Sequence, residues 1–318
     1  MMTLTDITGI KIGHAQNREA ATGCTVILCP EGATGGVDVR GGAPGTRETD
    51  LLNPVNYVDK VHAVLLSGGS AFGLDAAAGV MQYLEEQGAG FDVGVTKVPI
   101  VAGAVLFDLN CGDYRIRPDK AMGYAACQAA SAGVVAEGCV GAGTGATVGK
   151  IFGMQHAMKG GLGISCMAVG DLRVGAVVAV NCLGDVVNPA EGGKIIAGAF
   201  AKEPFRFLNC EQGLLSQHDK KVNRFAGNTT IGAVVTNAIL TKAQANKIAS
   251  MAHNGYARTI RPAHTLFDGD TIFTVATGQV TADINVVGVL AAQAVEQAVL
   301  RAVTQATSLA GFTCCRDI

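Results

Sequence analysis

The feature that most constrains the fold is an apolar, β-branched run that begins directly after a polar turn. Gly227 and Asn228 form the turn, and Thr229, Thr230 and the run over 231–238 follow it. An unbroken run of this kind is typical of a strand that is covered on both faces. We therefore predict a buried strand that starts at a threonine.

A threonine in this position would gain a base if the chain were cut before it. The free α-amine of an N-terminal threonine, with an unperturbed pKa of roughly 7.7–8.0, can accept the proton of the threonine hydroxyl. Our hypothesis is that the 318-residue chain cuts itself between Asn228 and Thr229, which leaves segments of 228 and 90 residues. Two simpler interpretations compete: a Gly-Asn pair often forms only a turn, and Asn228-Thr229-Thr230 also matches the N-glycosylation pattern.

The composition indicates layers of closely packed backbone. Hydrophobic residues make up 49% of the chain, which is enough for a large core. There are 43 glycines, no tryptophan and only 5% aromatic residues, so small side chains must fill the layers. The net charge of −2 gives no electrostatic reason to expect nucleic acid or an anionic membrane as a partner.

The N-terminus and the cysteines bear on the compartment. Residues 1–6 lack a basic stretch followed by an apolar one, and no uncharged apolar run of membrane-spanning length follows. We expect a soluble, cytoplasmic protein with no membrane partner, which argues against glycosylation at Asn228. The ten cysteines show no Cys-x-x-Cys spacing, so we expect neither a zinc site nor a disulfide framework. Most of them should be small buried side chains.

Strand patterns followed by helix patterns occur twice, with no composition shift that marks a domain boundary. Hydrophobic periodicity and turn residues predict the elements in order. They are an antiparallel hairpin sheet over 5–40 with a glycine-rich turn at 32–36, a strand over 61–66, helices over 74–84 and 119–133, a strand over 172–181, a short helix over 190–201, a loop over 202–226, the strand from 229, and helices from 241 and over 284–309. We expect two central sheets with helices on their outer faces.

A glycine-rich segment at 141–151 places Lys150 in a nearly uncharged surrounding. A phosphate-binding P-loop would need glycine at 144 and serine or threonine at 151, where this chain has Thr144 and Ile151. The dinucleotide fingerprint fails because position 146 is not glycine. A partly buried lysine needs an acidic partner or a lowered pKa. Lys150 is therefore a candidate site residue, and an ordinary surface lysine is the alternative.

Other polar residues lie next to predicted strands. Asn181 ends one strand, where it can cap a turn or donate its NH₂ to an oxyanion. Asp268 and Asp270 precede another strand, where they can form a plain turn, position an ammonium group or shuttle protons. The Gly/Ser loop at 67–73 can bind an anion or serve only as a tight turn. The charged loop at 39–50 can carry function or be a solvated connection held by Arg–Glu pairs.

Five of these motifs occur in one order: VRGGAPGTRETD at 39–50, LLSGGSAFGL at 65–74, GATVGK at 145–150, NTT at 228–230 and DGD at 268–270. Together they resemble the DmpA-like self-processing aminopeptidases, a family that includes β-peptidyl aminopeptidases and nylon-oligomer hydrolases. The resemblance runs from about residue 5 to the end. It is strongest to the nylon-oligomer-hydrolase branch, because the β-peptidase branch has a serine nucleophile and a Ser/Glu pair in place of Asp268 and Asp270. That difference argues against a preference for β-peptides.

The resemblance implies a fold, a processing event and site residues. It implies one domain over 1–318, folded as a four-layer αββα sandwich that is similar to N-terminal-nucleophile (Ntn) hydrolases but connected differently. It also implies self-cleavage into an α chain (1–228) and a β chain (229–318) that stay together in a tetramer of αβ units. Carried over by position, the nucleophile is Thr229, the catalytic lysine Lys150, the oxyanion donor Asn181 and the supporting acids Asp268 and Asp270, with no cofactor and no metal.

The activity that this resemblance implies is hydrolysis of amide or ester bonds through an acyl-enzyme on Thr229. The substrates would be small peptides, amino-acid amides or ω-amino-acid oligomers. Two alternatives stay open. An acyltransferase similar to ornithine acetyltransferase would use the same self-cleaved threonine, and a non-catalytic protein would bind a ligand with its glycine-rich loops. Only the non-catalytic alternative predicts a single chain on denaturing electrophoresis.

Overall fold

A computed structural model describes residues 3–218 and 227–318 of the chain. Within these residues the main sheet has nine strands. They are β1 (Lys11–Asn17), β2 (Thr22–Val39), β3 (Thr46–Arg47), β4 (Lys60–Ser67), β5 (Val101–Val105), β6 (Gly161–Val169), β7 (Leu172–Asn181), β8 (Thr229–Ala238) and β9 (Thr271–Val280). The α-helices in the same residues are α1 (Ala76–Glu86), α2 (Lys120–Gln128), α3 (Cys210–Ser216), α4 (Lys242–Thr259) and α5 (Ile284–Thr304).

Shorter strands form small sheets beside the main one. Three of these sheets are two-stranded, and the fourth has three strands. The pairs are Phe91–Asp92 with Lys97–Val98, Thr147–Val148 with Met158–Lys159, and Phe200–Ala201 with Arg206–Phe207; the three-stranded sheet joins Lys194–Ala197, Asp185–Asn188 and Ile260–Arg261.

One long strand, β2, joins two halves of the main sheet. The strand order is β6-β7-β8-β9-β2-β4-β5-β3, and β1 also pairs with β2. The first half of β2 pairs with β1 and β4, its second half pairs with β9, and the register shifts between Leu28 and Ala33. The strand therefore belongs to two sheets, one formed with β1, β3, β4 and β5 and the other with β6–β9.

Alternate side chains of these strands enter three separate cores. Ile27 and Val177 lie in the core between the two sheets. Val26, which points the opposite way from Ile27, packs with residues of α1 and α2. Val178, the neighbour of Val177, packs with residues of α4 and α5. The layer order is thus helix, sheet, sheet, helix, and the predicted αββα sandwich is confirmed.

Glycine at the strand surfaces allows helix backbones to approach closely. A methyl group on Gly36 of β2 would lie 2.4 Å from the carbonyl carbon of Ala245 in α4. One on Gly163 of β6 would lie 2.0 Å from the carbonyl oxygen of Ala298 in α5. Only glycine fits at such contacts, which is why a chain with so few aromatic residues still fills its layers.

Helix α5 is long and apolar enough to cross a membrane by length and composition alone. It lies instead in the core, where 61% of its most apolar window is buried. Leu290, Ala294 and Ala298 pack with the outer face of the sheet that contains β7 and β8. Contact with the sheet therefore explains its apolar character.

Several predicted elements differ in the structure. The glycine-rich turn at 32–36 is wrong, because these residues continue β2 where it crosses from one sheet to the other. The helix over 190–201 is wrong as well. Gly192 and Gly193 have φ values of 68° and 81°, which an α-helix excludes, and the strand Lys194–Ala197 follows them.

Other boundaries shift as well. The helix predicted over 74–84 spans Ala76–Glu86, and the helix predicted over 119–133 ends at Gln128. The last helix ends at Thr304, five residues before the predicted end at 309. The loop predicted over 202–226 contains α3, while residues 219–226 of that loop prediction lie outside the described residues. The prediction that most cysteines are small buried side chains is confirmed, because eight of the ten are buried.

Candidate active site

Thr229 is the first residue of β8 and lies between two neighbouring strand ends. In the antiparallel pairing of β7 and β8 it is opposite Asn181, the last residue of β7. On its other side β8 pairs in parallel with β9, which begins at Thr271 directly after the Asp-Gly-Asp turn. The sheet thus brings Asn181, Thr229 and the turn at 268–270 to one place.

Lys150 reaches this place from the glycine-rich segment. Its Nζ donates to the main-chain oxygen and to Oδ1 of Asn181, both at 2.9 Å, and to the carbonyl of Gly227 at 3.0 Å. The residue is only 3% exposed, so the surface-lysine alternative is wrong. Burial lowers the pKa of Lys150 to about 8, because the charged form loses its hydration.

Asn181 is completely buried, and both of its side-chain ends have partners. Its Oδ1 accepts from Thr147 N at 2.9 Å as well as from Lys150 Nζ. Its Nδ2 donates to Phe107 O at 2.9 Å and to Gly227 O at 3.2 Å. Lys150 Nζ and Thr147 N are both donors, so the side-chain atom that they contact must be the amide oxygen of Asn181. The NH₂ group of Asn181 must therefore face Gly227.

The two residues before Thr229 are held by different donors. The Gly227 carbonyl accepts from Lys150 and Asn181. The Asn228 carbonyl accepts from Gly269 N at 3.1 Å and from the Thr229 hydroxyl. The hydroxyl of Thr229 therefore lies against the carbonyl group that the proposed cleavage would attack.

The two aspartates are both 1% exposed and have different partners. Asp270 accepts from Thr230 N at 2.7 Å through Oδ1, and from the main-chain N and Nδ1 of His264 at 3.0 and 2.9 Å through Oδ2. Asp268 Oδ2 accepts from Thr265 N at 3.0 Å and from its hydroxyl. Burial, reinforced by the Asp270 carboxylate, raises the pKa of Asp268 to about 6.

The charged loop over 39–50 packs its backbone against the Asp-Gly-Asp turn. Arg40 N donates to Asp270 O at 2.9 Å, and Ala43 N donates to Asp268 O at 2.8 Å. The ion pair of Arg40 is with Asp38, at 2.9 Å, rather than with a glutamate of the loop. The loop therefore supports the site, and the Arg–Glu alternative does not describe it.

A cavity of about 280 Å³ opens onto Thr229. Its wall includes residues 43–45, residues 70–71 of the Gly/Ser loop, and Phe107 and Phe267. A larger cavity of about 390 Å³ lies between α3 and Pro262, away from Thr229. We assign the site to the smaller cavity, because its wall includes the candidate nucleophile and parts of three of the five sequence motifs.

Sequence reasoning missed two other polar residues. His264, which binds Asp270, has a φ of 57° and packs edge-to-face against His253, with ring centroids 4.8 Å apart. Lys159 is fully buried, and its Nζ donates to the carbonyls of Gly143 and Ala146, in the segment before Lys150, and to the carbonyl of the adjacent Gly160. In the sequence, His264 is only a histidine six residues before an aspartate, and Lys159 is only a lysine in a short strand. Neither pattern distinguishes these residues from ordinary surface residues.

Comparison with known proteins identifies the family of this chain. A model of peptidase family S58 matches residues 3–315. The chain is 45% identical to an uncharacterised aminopeptidase of Mycobacterium leprae over 98% of this chain and 92% of that protein. It is 35% identical to the 6-aminohexanoate-oligomer endohydrolase of Kocuria sp., over 86% of this chain and 75% of that one.

A solved structure shows the same fold. The L-aminopeptidase D-Ala-esterase/amidase of Ochrobactrum anthropi, whose structure is described as a variant of the Ntn hydrolase fold, superposes with a TM-score of 0.71. The match covers 96% of this chain and 86% of that one at 19% identity. With the family model and the relatives, it agrees with the resemblance seen in the motifs. The chain belongs to peptidase family S58 and is a hydrolase of peptide or amide bonds.

Proposed function

We propose that the protein is a self-cleaving N-terminal threonine hydrolase, an aminopeptidase or amidase that acts on small peptides, amino-acid amides or ω-amino-acid oligomers. One observation carries the proposal. The Thr229 hydroxyl contacts the Asn228 carbonyl on the wall of a cavity, while Lys150 and Asn181 bind the adjacent Gly227 carbonyl. The nucleophile, the bond to be cut and two donors thus lie together.

In the first stage the Thr229 oxygen attacks the carbonyl carbon of Asn228. The C–N bond breaks, the hydroxyl proton ends on the departing nitrogen, and an ester joins Asn228 to the threonine oxygen. Water then hydrolyses the ester, which restores the hydroxyl and leaves a free α-amine on Thr229.

In the second stage the amine serves as the base. It takes the hydroxyl proton as the oxygen attacks a substrate amide, and it returns the proton to the leaving amine, which leaves an acyl ester on the threonine oxygen. Water then hydrolyses this ester, releases the acid and restores the hydroxyl. Lys150 keeps the amine neutral by charge repulsion, and Asp268 and Asp270 orient and neutralise the cations. Asn181 donates to the oxyanion, a contact that is worth roughly 2.7–4 kcal/mol where comparable donors have been removed.

Cleavage would also free Lys150 and Asn181 to donate to a substrate. Before the cut, Lys150 Nζ and Asn181 Nδ2 hold the Gly227 carbonyl. Movement of the new chain end at Asn228 would release both donors. Strand β8 pairs with β7 and β9 along its length, so residues 229–318 would remain associated with residues 1–228 as one domain.

The proposal includes a tetramer of αβ units in the cytoplasm. The ten free cysteines fit a reducing compartment, and the tetramer is carried over from the family resemblance. Light scattering after gel filtration measures the assembly directly, and a mass equal to one αβ unit would overturn this part of the proposal.

A substrate panel tests the activity. Purified protein is assayed with amino-acid p-nitroanilides, dipeptide amides and a linear ω-amino-acid oligomer, and product is compared in water and with an added amine acceptor. We expect hydrolysis with the wild type and none with Thr229→Ala. Thr230→Val is the matched control, because the Thr230 hydroxyl is buried without a hydrogen-bond partner in the described part of the chain. Equal turnover by Thr229→Ala and Thr230→Val, or acyl transfer with no hydrolysis, would reject the proposal.

A further inference from the structure

We infer that Gly269 is a catalytic residue of the self-cleavage step. Its main-chain N–H binds the oxygen that becomes the oxyanion, and its lack of a side chain leaves the space that the Thr229 hydroxyl occupies. The inference rests on the proposed function, because it concerns the cut between Asn228 and Thr229. It assigns to self-cleavage a donor different from the one that serves substrate.

The donors at the site are divided between two consecutive carbonyl groups. Asn181 Nδ2 and Lys150 Nζ donate to Gly227 O, which belongs to the residue before the scissile carbonyl. The scissile carbonyl of Asn228 accepts instead from Gly269 N at 3.1 Å. That distance lies within the range of about 2.7–3.1 Å expected for an oxyanion donor.

The Gly269 N–H is held in place from both sides. On one side Asp268 forms a bridge with Asn228, and its carbonyl accepts from Ala43 N at 2.8 Å. On the other side the Asp270 carboxylate accepts from Thr230 N at 2.7 Å. The Asp-Gly-Asp turn therefore contacts the chain immediately before and immediately after Thr229, and the donor is preorganised for the reaction.

The space beside Gly269 is filled by the nucleophile. A methyl group at this position would lie 2.8 Å from Thr229 Oγ1, 3.2 Å from Thr229 Cγ2 and 2.8 Å from the carbonyl oxygen of Ala43. Gly269 does not have a left-handed φ, so the backbone itself accepts alanine. Because the Ala43 oxygen belongs to the backbone, an added methyl would displace the Thr229 hydroxyl.

The step that Gly269 assists is the first half of self-cleavage. A bond forms between Thr229 Oγ and the carbonyl carbon of Asn228, and the carbonyl π electrons move to the oxygen that Gly269 N–H binds. When the C=O bond re-forms, the C–N bond breaks and the hydroxyl proton goes to the nitrogen of Thr229. Water completes the reaction by hydrolysing the ester.

Precursor made by cell-free translation provides the test of the space requirement. The Gly269→Ala precursor is compared with Gly133→Ala, in which the added methyl has only Ser131 Oγ near it, at 3.7 Å. The rate of appearance of two fragments is measured on denaturing gels, with melting temperature as the check on folding. We expect Gly269→Ala to cut about 100-fold more slowly, the loss that a misplacement of about 1 Å can cause, and Gly133→Ala to cut at the wild-type rate. Equal rates in the two variants would overturn the space requirement.

A second variant tests the hydrogen bond without adding atoms. Replacement of Gly269 by glycolic acid, through suppression of a stop codon, exchanges the N–H for an ester oxygen. We expect cutting to slow about 100-fold to 1,000-fold, the range for loss of one oxyanion donor. A wild-type rate would refute the donor role. Cutting in Thr229→Ala would instead reject the proposed function, so the two failures remain distinct.

Discussion

Lys150 Nζ donates to both oxygens of Asn181, the main-chain carbonyl and Oδ1, at 2.9 Å each. This contact joins a cation from a glycine-rich segment to the residue opposite Thr229 in the sheet. Because Oδ1 also accepts from Thr147 N, the NH₂ group of Asn181 has one orientation, toward Gly227. The position of the donor therefore depends on the cation beside it.

Replacing the Asn181 amide by a carboxylate should remove the donor and keep the shape. In Asn181→Asp an acceptor oxygen would face the carbonyls of Phe107 and Gly227, where the NH₂ group now donates. We expect kcat to fall about 100-fold to 1,000-fold. The control is Asn237→Asp at the far end of β8, where the amide donates to Asp171 O at 2.9 Å. Comparable kcat values for the two folded variants would contradict the role of Asn181.

The pH profile of hydrolysis should be bell-shaped. Asp268, with a pKa raised to about 6, gains its charge as pH rises through that value, and Lys150, with a pKa lowered to about 8, loses its charge as pH rises further. We expect kcat/KM to rise near pH 6 and to fall near pH 8. Asp268→Asn should shift the acidic limb and show a lower plateau, because the Thr229 amine must still lose its proton to act as the base. An unchanged acidic limb in that variant would show that Asp268 does not contribute to it.

Asp268 and Lys150 also change the free energy of unfolding with pH, in different pH ranges and in opposite directions. Folding raises the pKa of Asp268 above its usual value of 3.8, so the native state binds that proton more tightly. This contribution makes the free energy of unfolding fall as pH rises from about 4 to about 6. Folding lowers the pKa of Lys150 below its usual 10.5, so its contribution rises with pH above about 8.

His264 should act as a positioning residue through Asp270. Loss of the hydrogen bond from Nδ1 to the Asp270 carboxylate in His264→Ala removes a contact to a charged group, worth about 1.5–3 kcal/mol. We expect kcat to fall about 10-fold to 100-fold with little change in KM. His264→Asn should restore most of the loss, because asparagine tolerates the positive φ and its NH₂ group can replace the ring donor. Equal losses in both variants would indicate a packing role.

Removal of the Tyr256 hydroxyl should not destabilise the fold and is expected to stabilise it slightly. This residue is completely buried, and its oxygen has no hydrogen-bond partner among the residues that the structure describes. Tyr256→Phe removes the cost of burying that oxygen, so we expect the protein to be as stable or up to about 1 kcal/mol more stable. The measurement is urea unfolding in the uncut Thr229→Ala background. A loss above about 1 kcal/mol would show that the hydroxyl is satisfied by a bound water.

The hydrophobic pattern of a single segment predicts the strands at the site well, but it does not predict the contacts between these strands. The strand over 172–181 has the predicted bounds, and β8 begins at Thr229 as expected. Their apolar runs are covered on both faces, and that property is visible in a single segment. The helix from 241 is also confirmed, since Thr241 caps it through Gln244 N.

Other features depend on neighbours that are distant in sequence. Lys150, Asn181 and Thr229 lie together only because separate segments of the chain reach the same end of the main sheet. In the sequence they are grouped by the family resemblance of the motifs and not by hydrophobic periodicity. In the sequence Gly269 is an ordinary turn residue, and only the structure shows that it lies beside Thr229. Glycines 35 and 36 suggest a turn, but they lie where β2 passes between sheets and packs closely against Leu52, Val61 and α4.

The intact mass of the purified protein is the most direct test of the cut before Thr229. We expect two polypeptides, residues 1–228 and 229–318, whose masses sum to the uncut chain plus one water, with the smaller one beginning Thr229-Thr230-Ile231. Thr229→Ala should remain a single chain of 32.4 kDa. A fully active wild-type preparation that consists of one intact 32.4 kDa chain would contradict the threonine-nucleophile mechanism.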